Sequence, residues 1–150
     1  MASYKNRMAE AAIKDFPALR RDYVKLLEDI DLMSLAGACL YDERVTGGTG
    51  ELKADRYVDR YNKASVVALK TIIEVIYDAY RSLNEEQRRS IALRYWRNME
   101  IADIARELTF SERNIYRCIN SALHNLYRPI LNIQPMIDEW RAGKFSHVYL

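Results

Sequence analysis

At residues 99–126 the chain reads MEIADIARELTFSERNIYRCINSALHNL, and the spacing of its apolar residues predicts two short helices joined by a turn. The first helix has apolar residues three and four positions apart, namely Ile101, Ile104, Ala105 and Leu108. Ser111 can begin the second helix, because a serine hydroxyl accepts hydrogen bonds from the free N–H groups of a first turn. The second helix has an apolar stripe of its own, formed by Ile115, Ile119, Ala122 and Leu126. This stretch therefore predicts a helix-turn-helix.

The opposite face of the second helix carries side chains of the types that contact phosphates and base edges. We predict a recognition helix at about residues 111–127. Its predicted DNA-binding residues are Ser111, Glu112, Arg113, Asn114, Tyr116, Arg117 and Asn120. Helical bundles that never bind nucleic acid also have polar outer faces, so the spacing alone leaves both interpretations open.

A third helix is predicted immediately upstream. Asn84 can cap its first turn, and Gln87, three residues later, can reach back to the Asn84 backbone as in a capping box. The pattern predicts that the helix continues through residues 88–97 and buries Ile91, Ala92 and Tyr95.

Several segments resemble region 4 of bacterial sigma-70 factors. The resemblance lies in Leu83, IALRYW at 91–96, IADIAREL at 101–108, and then Ser111, Ile115, Ala122 and Leu123. Over roughly residues 8–130 the chain is also similar to the RinA and ArpU families of phage late-gene activators. That similarity rests on DFPALRRDY at 15–23, VTGGTG at 45–50, the long helix that follows, and LRYW at 93–96. It implies a sequence-specific activator of phage or prophage late genes that binds double-stranded DNA, with host RNA polymerase as a further candidate partner.

The chain departs from the sigma-like pattern at Thr109. In that pattern the residue before the position of Phe110 is commonly glycine, because that preceding residue adopts a left-handed conformation. A β-branched residue at positive φ costs about 1 kcal/mol or more. We therefore expect either a strained Thr109 or a turn of a different construction.

Composition favours an all-α protein. The chain has 150 residues, 49% of them hydrophobic, and no glycine between residues 51 and 142. No stretch alternates as a strand would. We predict an N-terminal helical hairpin followed by a C-terminal sigma-70 region 4-like helix-turn-helix. The predicted segments are a helical scaffold at 1–82 with a flexible loop near 42–54, a DNA-binding module at 83–130, and a tail at 131–150 with one short helix around Trp140.

The scaffold is predicted to contain two long helices. The first begins near Pro17, after an alanine-rich segment, and buries Leu19, Tyr23, Leu26, Leu27 and Ile30. The second spans about 54–82 and buries Val66, Leu69, Ile72, Ile73, Ile76 and Tyr80. The apolar surface exceeds what one helix face needs. It could close on the chain itself or on a second subunit, so a homodimer is a candidate assembly.

The net charge of +2 is low for a protein that binds DNA unaided. Residues 88–128 contain eight arginines and four acidic residues. This excess of positive charge predicts a modest positive surface. A single module of this kind binds weakly and loses affinity steeply with salt. We therefore expect either a dimer or the help of RNA polymerase.

The sequence favours a protein that is not an enzyme. No nucleophile–base set or carboxylate pair suggests catalytic residues, and Cys39, Cys118, His124 and His147 lack metal-ligand spacing, so no metal or cofactor is expected. Without a signal peptide or an apolar stretch of about 20 residues, we expect a cytoplasmic protein with no membrane partner. Two alternatives remain: a small terminase-like DNA-packaging protein, or a sigma-like factor acting mainly through polymerase. Terminase small subunits usually place the DNA-binding module first, which favours the activator.

Overall fold

A computed structural model describes residues 3–43 and 49–145, with side chains described for 3–30 and 64–145. Within these ranges the regular structure is entirely helical, which confirms the predicted all-α class. The elements are α1 (Tyr4–Glu43), α2 (Thr49–Arg81), α3 (Glu85–Ile91), a π-helical turn (Ala92–Trp96), α4 (Ile101–Leu108) and α5 (Glu112–Arg141). None of the described helices is long and apolar enough to cross a membrane.

Helices α1 and α2 form the predicted antiparallel hairpin. The end of α1 and the beginning of α2 are close in sequence, and Phe16 near the other end of α1 stacks on Tyr77 near the end of α2. Their ring centroids are 6.5 Å apart. Leu19, Leu26, Leu69, Ile72 and Ile76 are buried in the core, as the apolar spacing predicted.

The burial prediction is less accurate at the edges of this hairpin. Tyr23, Ile30, Val66, Ile73 and Tyr80 are only partly buried against the core. Leu27 was predicted to be buried and is exposed. It lies directly after the buried Leu26, and consecutive residues on a helix are rotated by about 100°, so both cannot face the same core.

Pro17 does not begin a helix, contrary to the sequence prediction. Helix α1 runs without interruption from Tyr4, and Pro17 lies inside it. A proline has no N–H for the carbonyl four residues earlier, which here is the carbonyl of Ile13. The indole Nε1–H of Trp96 donates a hydrogen bond to that carbonyl oxygen at 3.0 Å. The freed acceptor is thus satisfied by another element, and the helix continues.

Both ends of the loop predicted near residues 42–54 are helical instead. Helix α1 extends to Glu43 and α2 begins at Thr49. The remaining part of the prediction, residues 44–48, lies outside the described residues.

The C-terminal tail does not form a separate short helix. Helix α5 continues through Pro129 and Pro135 to Arg141, so the predicted recognition helix does not end near residue 127. Its second half is held by packing, with Ile130, Ile133 and Ile137 buried. These three residues belong to the same apolar cluster as the hairpin and the residues of α3 and α4. The division into three segments stays a prediction.

The end of α5 is also tied to α1 by polar contacts. Trp140 Nε1 donates to Asp22 Oδ2 at 2.8 Å, and Arg141 forms an ion pair with Asp15 at 2.7 Å. These contacts hold the last turn of α5 against α1.

Candidate nucleic-acid interface

The turn between α4 and α5 is closed by a left-handed residue at the position marked by the sequence. Thr109 has φ 57° and ψ 40°. The Phe110 N–H donates to the Ala105 carbonyl at 2.9 Å, and the Thr109 N–H donates to the Arg106 carbonyl at 3.4 Å. This pair of bonds is the Schellman arrangement of a helix C-terminus. Of the two expected possibilities, the structure has the strained Thr109.

Ser111 caps α5 as predicted. Its hydroxyl oxygen accepts a hydrogen bond from the Asn114 backbone N–H at 3.1 Å. The predicted stripe of Ile115, Ile119, Ala122 and Leu126 is buried. Ile101, Ile104 and Ala105 of α4 are buried as well, whereas Leu108 is only partly buried. The apolar faces of the two helices therefore fix α5 with its opposite face outward.

Helix α3 supports α5 from behind. The predicted capping box is present: Gln87 N–H donates to Asn84 Oδ1 at 2.9 Å, and Asn84 N–H donates to Gln87 Oε1 at 3.2 Å. The side-chain amide of the buried Gln87 also donates to Ser121 Oγ of α5 at 3.0 Å. One glutamine thus caps its own helix and ties α3 to α5.

The π-helical turn changes which residues are buried after α3. The Arg97 N–H bonds to the Ala92 carbonyl at 3.0 Å, five residues earlier. This wider turn rotates the later side chains relative to an α-helix. Leu93 is buried, while Ala92 and Tyr95, which were predicted to be buried, are only partly so.

Arg94 holds the connection from the π-helical turn into α4. Its guanidinium donates to the Met99 carbonyl at 3.1 Å and lies 3.9 Å from the Glu100 carboxylate. Between them, Asn98 has a positive φ of 54°. Asparagine tolerates this conformation better than most residues with a side chain.

The predicted DNA-binding residues lie together on the first three turns of α5. Glu112, Arg113, Arg117 and Asn120 are exposed, Asn114 is partly buried, and Tyr116 is 53% exposed. Among the residues with described side chains, neither Arg113 nor Arg117 has an ion-pair partner. Both guanidinium groups are therefore available to an external anion.

Helix α1 lies beside this surface, which the sequence did not predict. Tyr116 and Asn120 line one groove together with Lys14 and Pro17 of α1 and with Tyr95. Burial, with a contribution from Glu10, raises the pKa of Tyr95 to about 12, so its phenol stays neutral far above pH 7. Local spacing carries no signal for this groove, because its two walls are about a hundred residues apart in sequence.

Cys118 lies on α5 close to the predicted site but has no reactive features. Its thiol is partly buried, and burial raises its pKa, with a further increase from Glu86 that Arg117 opposes. A raised pKa leaves little thiolate at neutral pH. Within the ranges whose side chains are described, no group of histidine, cysteine and acidic residues could hold a metal ion. Cys39 and His147 lie outside those ranges.

One comparison with known families gives a result. Residues 79–128, one third of the chain, match the family model for sigma-70, region 4. This segment is a helix-turn-helix DNA-binding region. The match covers α3, α4 and the part of α5 that carries the predicted site, so it supports a DNA-binding function related to transcription. No curated protein and no solved structure matches the chain.

Proposed function

We propose that this protein is a sequence-specific transcriptional activator that binds double-stranded DNA through the first half of α5. The observation that carries the proposal is the sigma-70 region 4 match over a helix whose exposed face bears Arg113 and Arg117, neither of them ion-paired to a residue with a described side chain. Arginine offers a planar fork of donors that suits guanine edges and phosphate oxygens. A helix held from behind by apolar packing and by Gln87 presents that fork at a fixed angle to the major groove.

The target genes in this proposal are late genes of a phage or prophage. The support is the resemblance to the RinA and ArpU families. The segments that carry this resemblance occur along most of this chain, in the same order as in those families. DNase footprinting over the flanking genomic region, with and without host RNA polymerase, tests this assignment. We expect a protected site upstream of a late promoter. A footprint confined to a DNA-packaging site, with no effect on transcription, would contradict the activator role.

The proposal also includes a second source of affinity. One helix-turn-helix on a chain of net charge +2 makes few phosphate contacts. We propose that two copies of the chain bind adjacent half-sites, and the alternative source of affinity is host RNA polymerase at the promoter. The footprinting experiment separates these contributions, since a polymerase-dependent footprint lacks repeated half-sites and a dimer footprint contains them.

The role of α5 gives a direct prediction at Arg117. If its guanidinium contacts a base, Arg117→Ala weakens binding to the footprinted site by about 1–3 kcal/mol and relaxes the base preference at one position. Quantitative gel shifts with the site and with scrambled duplexes measure both effects. An equal loss on every duplex assigns Arg117 to a phosphate instead.

Arg128→Ala is the matched control, because Arg128 is an exposed arginine on the same helix beyond the predicted recognition segment. We expect specific binding by this variant to stay close to that of the wild type. Unchanged binding by alanine variants of Arg113, Tyr116 and Arg117 would exclude this face of α5 as the DNA-reading surface.

A further inference from the structure

A basic stripe lies on the exposed side of α1, away from the region 4 segment in sequence. Arg20, Arg21 and Lys25 line one shallow groove, and Glu28 is the only carboxylate among the residues that line it. All three cationic side chains are exposed. In the part of the chain with described side chains, none of them is in an ion pair. We call these three residues the α1 basic stripe.

Two nearby carboxylates contact the end of α5 and not the stripe. Asp15 pairs with Arg141 at 2.7 Å, and Asp22 accepts a hydrogen bond from the Trp140 indole at 2.8 Å. These contacts fix the two acidic side chains against the end of α5. The residues that line the groove include three cations and one carboxylate, so the groove is a locally positive surface on a chain of net charge +2.

The stripe is continuous with the predicted DNA-reading surface. Pro17 lines the groove of the α1 basic stripe and also the groove that contains Tyr116 and Asn120 of α5. From Pro17 to Lys25 the helix rises about 12 Å, at 1.5 Å per residue. Duplex DNA carries one negative charge per about 1.7 Å of its axis, so a surface of this length lies beside several phosphates.

We propose that the α1 basic stripe contacts the phosphate backbone of duplex DNA next to the base pairs read by α5. The inference rests on the proposed function, since the DNA is positioned by the recognition helix. It adds a contact surface outside the region 4 segment, and it supplies phosphate contacts that the helix-turn-helix alone lacks. Such contacts fix orientation and add affinity without reading sequence.

The test is a charge-neutralising triple variant, Arg20→Gln with Arg21→Gln and Lys25→Gln. The matched control is Lys5→Gln with Arg7→Gln and Lys70→Gln. It removes the same charge from exposed positions on α1 and α2 that lie outside the region 4 segment and line neither of the two grooves beside α1. Thermal melts followed by circular dichroism check that both variants fold as the wild type does.

Binding is measured by fluorescence anisotropy on a mixed-sequence duplex of about 30 base pairs at several NaCl concentrations. Each lost phosphate contact lowers the slope of log Kd against log salt by about 0.9. For the stripe variant we expect a slope lower by about 2–3 and at least a tenfold weaker Kd near physiological salt. The control keeps the wild-type slope.

The possible failures separate the two proposals. If the wild type binds DNA and the stripe variant keeps its slope, the inference is wrong and the proposed function stands. An equal loss in the control also overturns the inference, because overall charge then explains the effect. If the stripe variant loses affinity for RNA polymerase but keeps its DNA slope, the stripe contacts protein instead of phosphate. If the wild type fails to bind DNA at low salt, both proposals fall.

Discussion

Thr109 has a β-branched side chain at φ 57°, in a conformation that glycine adopts at far lower cost. The turn is nevertheless complete, with both Schellman hydrogen bonds present and the Thr109 hydroxyl donating to the Leu108 carbonyl at 2.6 Å. A non-glycine residue in this region costs about 1–3 kcal/mol and persists only where the surrounding structure holds it. The packed helices α4 and α5 supply that constraint.

Replacing Thr109 by glycine relieves this strain. The gain is partly offset, because glycine gives the unfolded chain more freedom, at about 0.5–1 kcal/mol. We expect Thr109→Gly to raise the Tm by about 2 °C, which is the scale of a gain below 1 kcal/mol in a chain of this length. Thermal melts followed by circular dichroism measure the shift.

Asn98→Gly is the control for this substitution. Asn98 also has a positive φ, 54°, but asparagine tolerates it, so glycine should add less there. A lower Tm for Thr109→Gly than for the wild type would show that Thr109 is not strained.

Local polar contacts could be predicted from sequence, whereas distant ones could not. The capping box of Asn84 and Gln87 and the cap at Ser111 depend on residues three apart, so their spacing is visible in the chain. The bond from Gln87 to Ser121 joins residues 34 positions apart. It exists only because apolar packing brings α3 against α5, and no local pattern encodes that distance.

At the level of elements, the helix boundaries predicted from the prolines were wrong in α1 and in α5. A proline inside a helix leaves one carbonyl without its donor and usually ends or kinks the helix. In α1 the Ile13 carbonyl accepts from Trp96 instead, and Trp96 also packs against Phe16 and Tyr80 at ring-centroid distances of 5.4 Å and 4.8 Å. No local spacing rule predicts the π-helical turn that positions Trp96. In α1, a contact with another element thus satisfies the acceptor that Pro17 leaves free.

The link between Pro17 and Trp96 can be measured by a double-mutant cycle. Trp96→Phe leaves the Ile13 carbonyl without a donor and removes ring area, which should cost about 1–3 kcal/mol. In a Pro17→Ala background, residue 17 regains an N–H that can bond to that carbonyl. We therefore expect Trp96→Phe to cost about 1 kcal/mol less in that background, as measured by urea unfolding.

Tyr80→Phe is the control for the cycle. It removes a hydroxyl that donates to the Arg88 carbonyl at 3.2 Å in the same aromatic cluster, but it leaves the Ile13 carbonyl satisfied. Its cost should be the same with Pro17 and with alanine, to within about 0.5 kcal/mol. Additive costs for Trp96→Phe would show that the indole hydrogen bond does not compensate for the proline.

For the whole molecule, the apolar surplus predicted for the hairpin packs mostly inward. Ile72 and Ile76 are fully buried, and Val66, Ile73 and Val75 are packed against the core. Val67 is 61% exposed and Leu27 is 37% exposed. Because Phe16 pairs with Tyr77 in an antiparallel hairpin, Leu27 and Val67 lie at about the same height along the hairpin. The sequence predicted the apolar periodicity of each helix. Which apolar residues stay exposed depends on how α1, α2 and α5 pack together, and the periodicity does not show that.

These two exposed residues make the dimer part of the proposed function testable. A two-fold dimer formed through this level of the hairpin would place two recognition helices about one turn of DNA apart. A lysine there would bury an unpaired charge at the interface, which is strongly unfavourable. We expect sedimentation equilibrium at micromolar concentration to show a wild-type dimer, and Val67→Lys with Leu27→Lys to weaken its dissociation constant by at least tenfold.

Leu131→Lys is the control, because Leu131 is an exposed apolar residue on α5 instead of the hairpin. We expect it to keep the wild-type dissociation constant. A dimer that survives both hairpin lysines would show that the interface lies on another surface.

A strictly monomeric wild type, together with a footprint that lacks repeated half-sites, would exclude the dimer. Affinity beyond that of one helix-turn-helix would then have to come from the α1 basic stripe and from RNA polymerase, and the salt slope of the stripe variant measures the first of these.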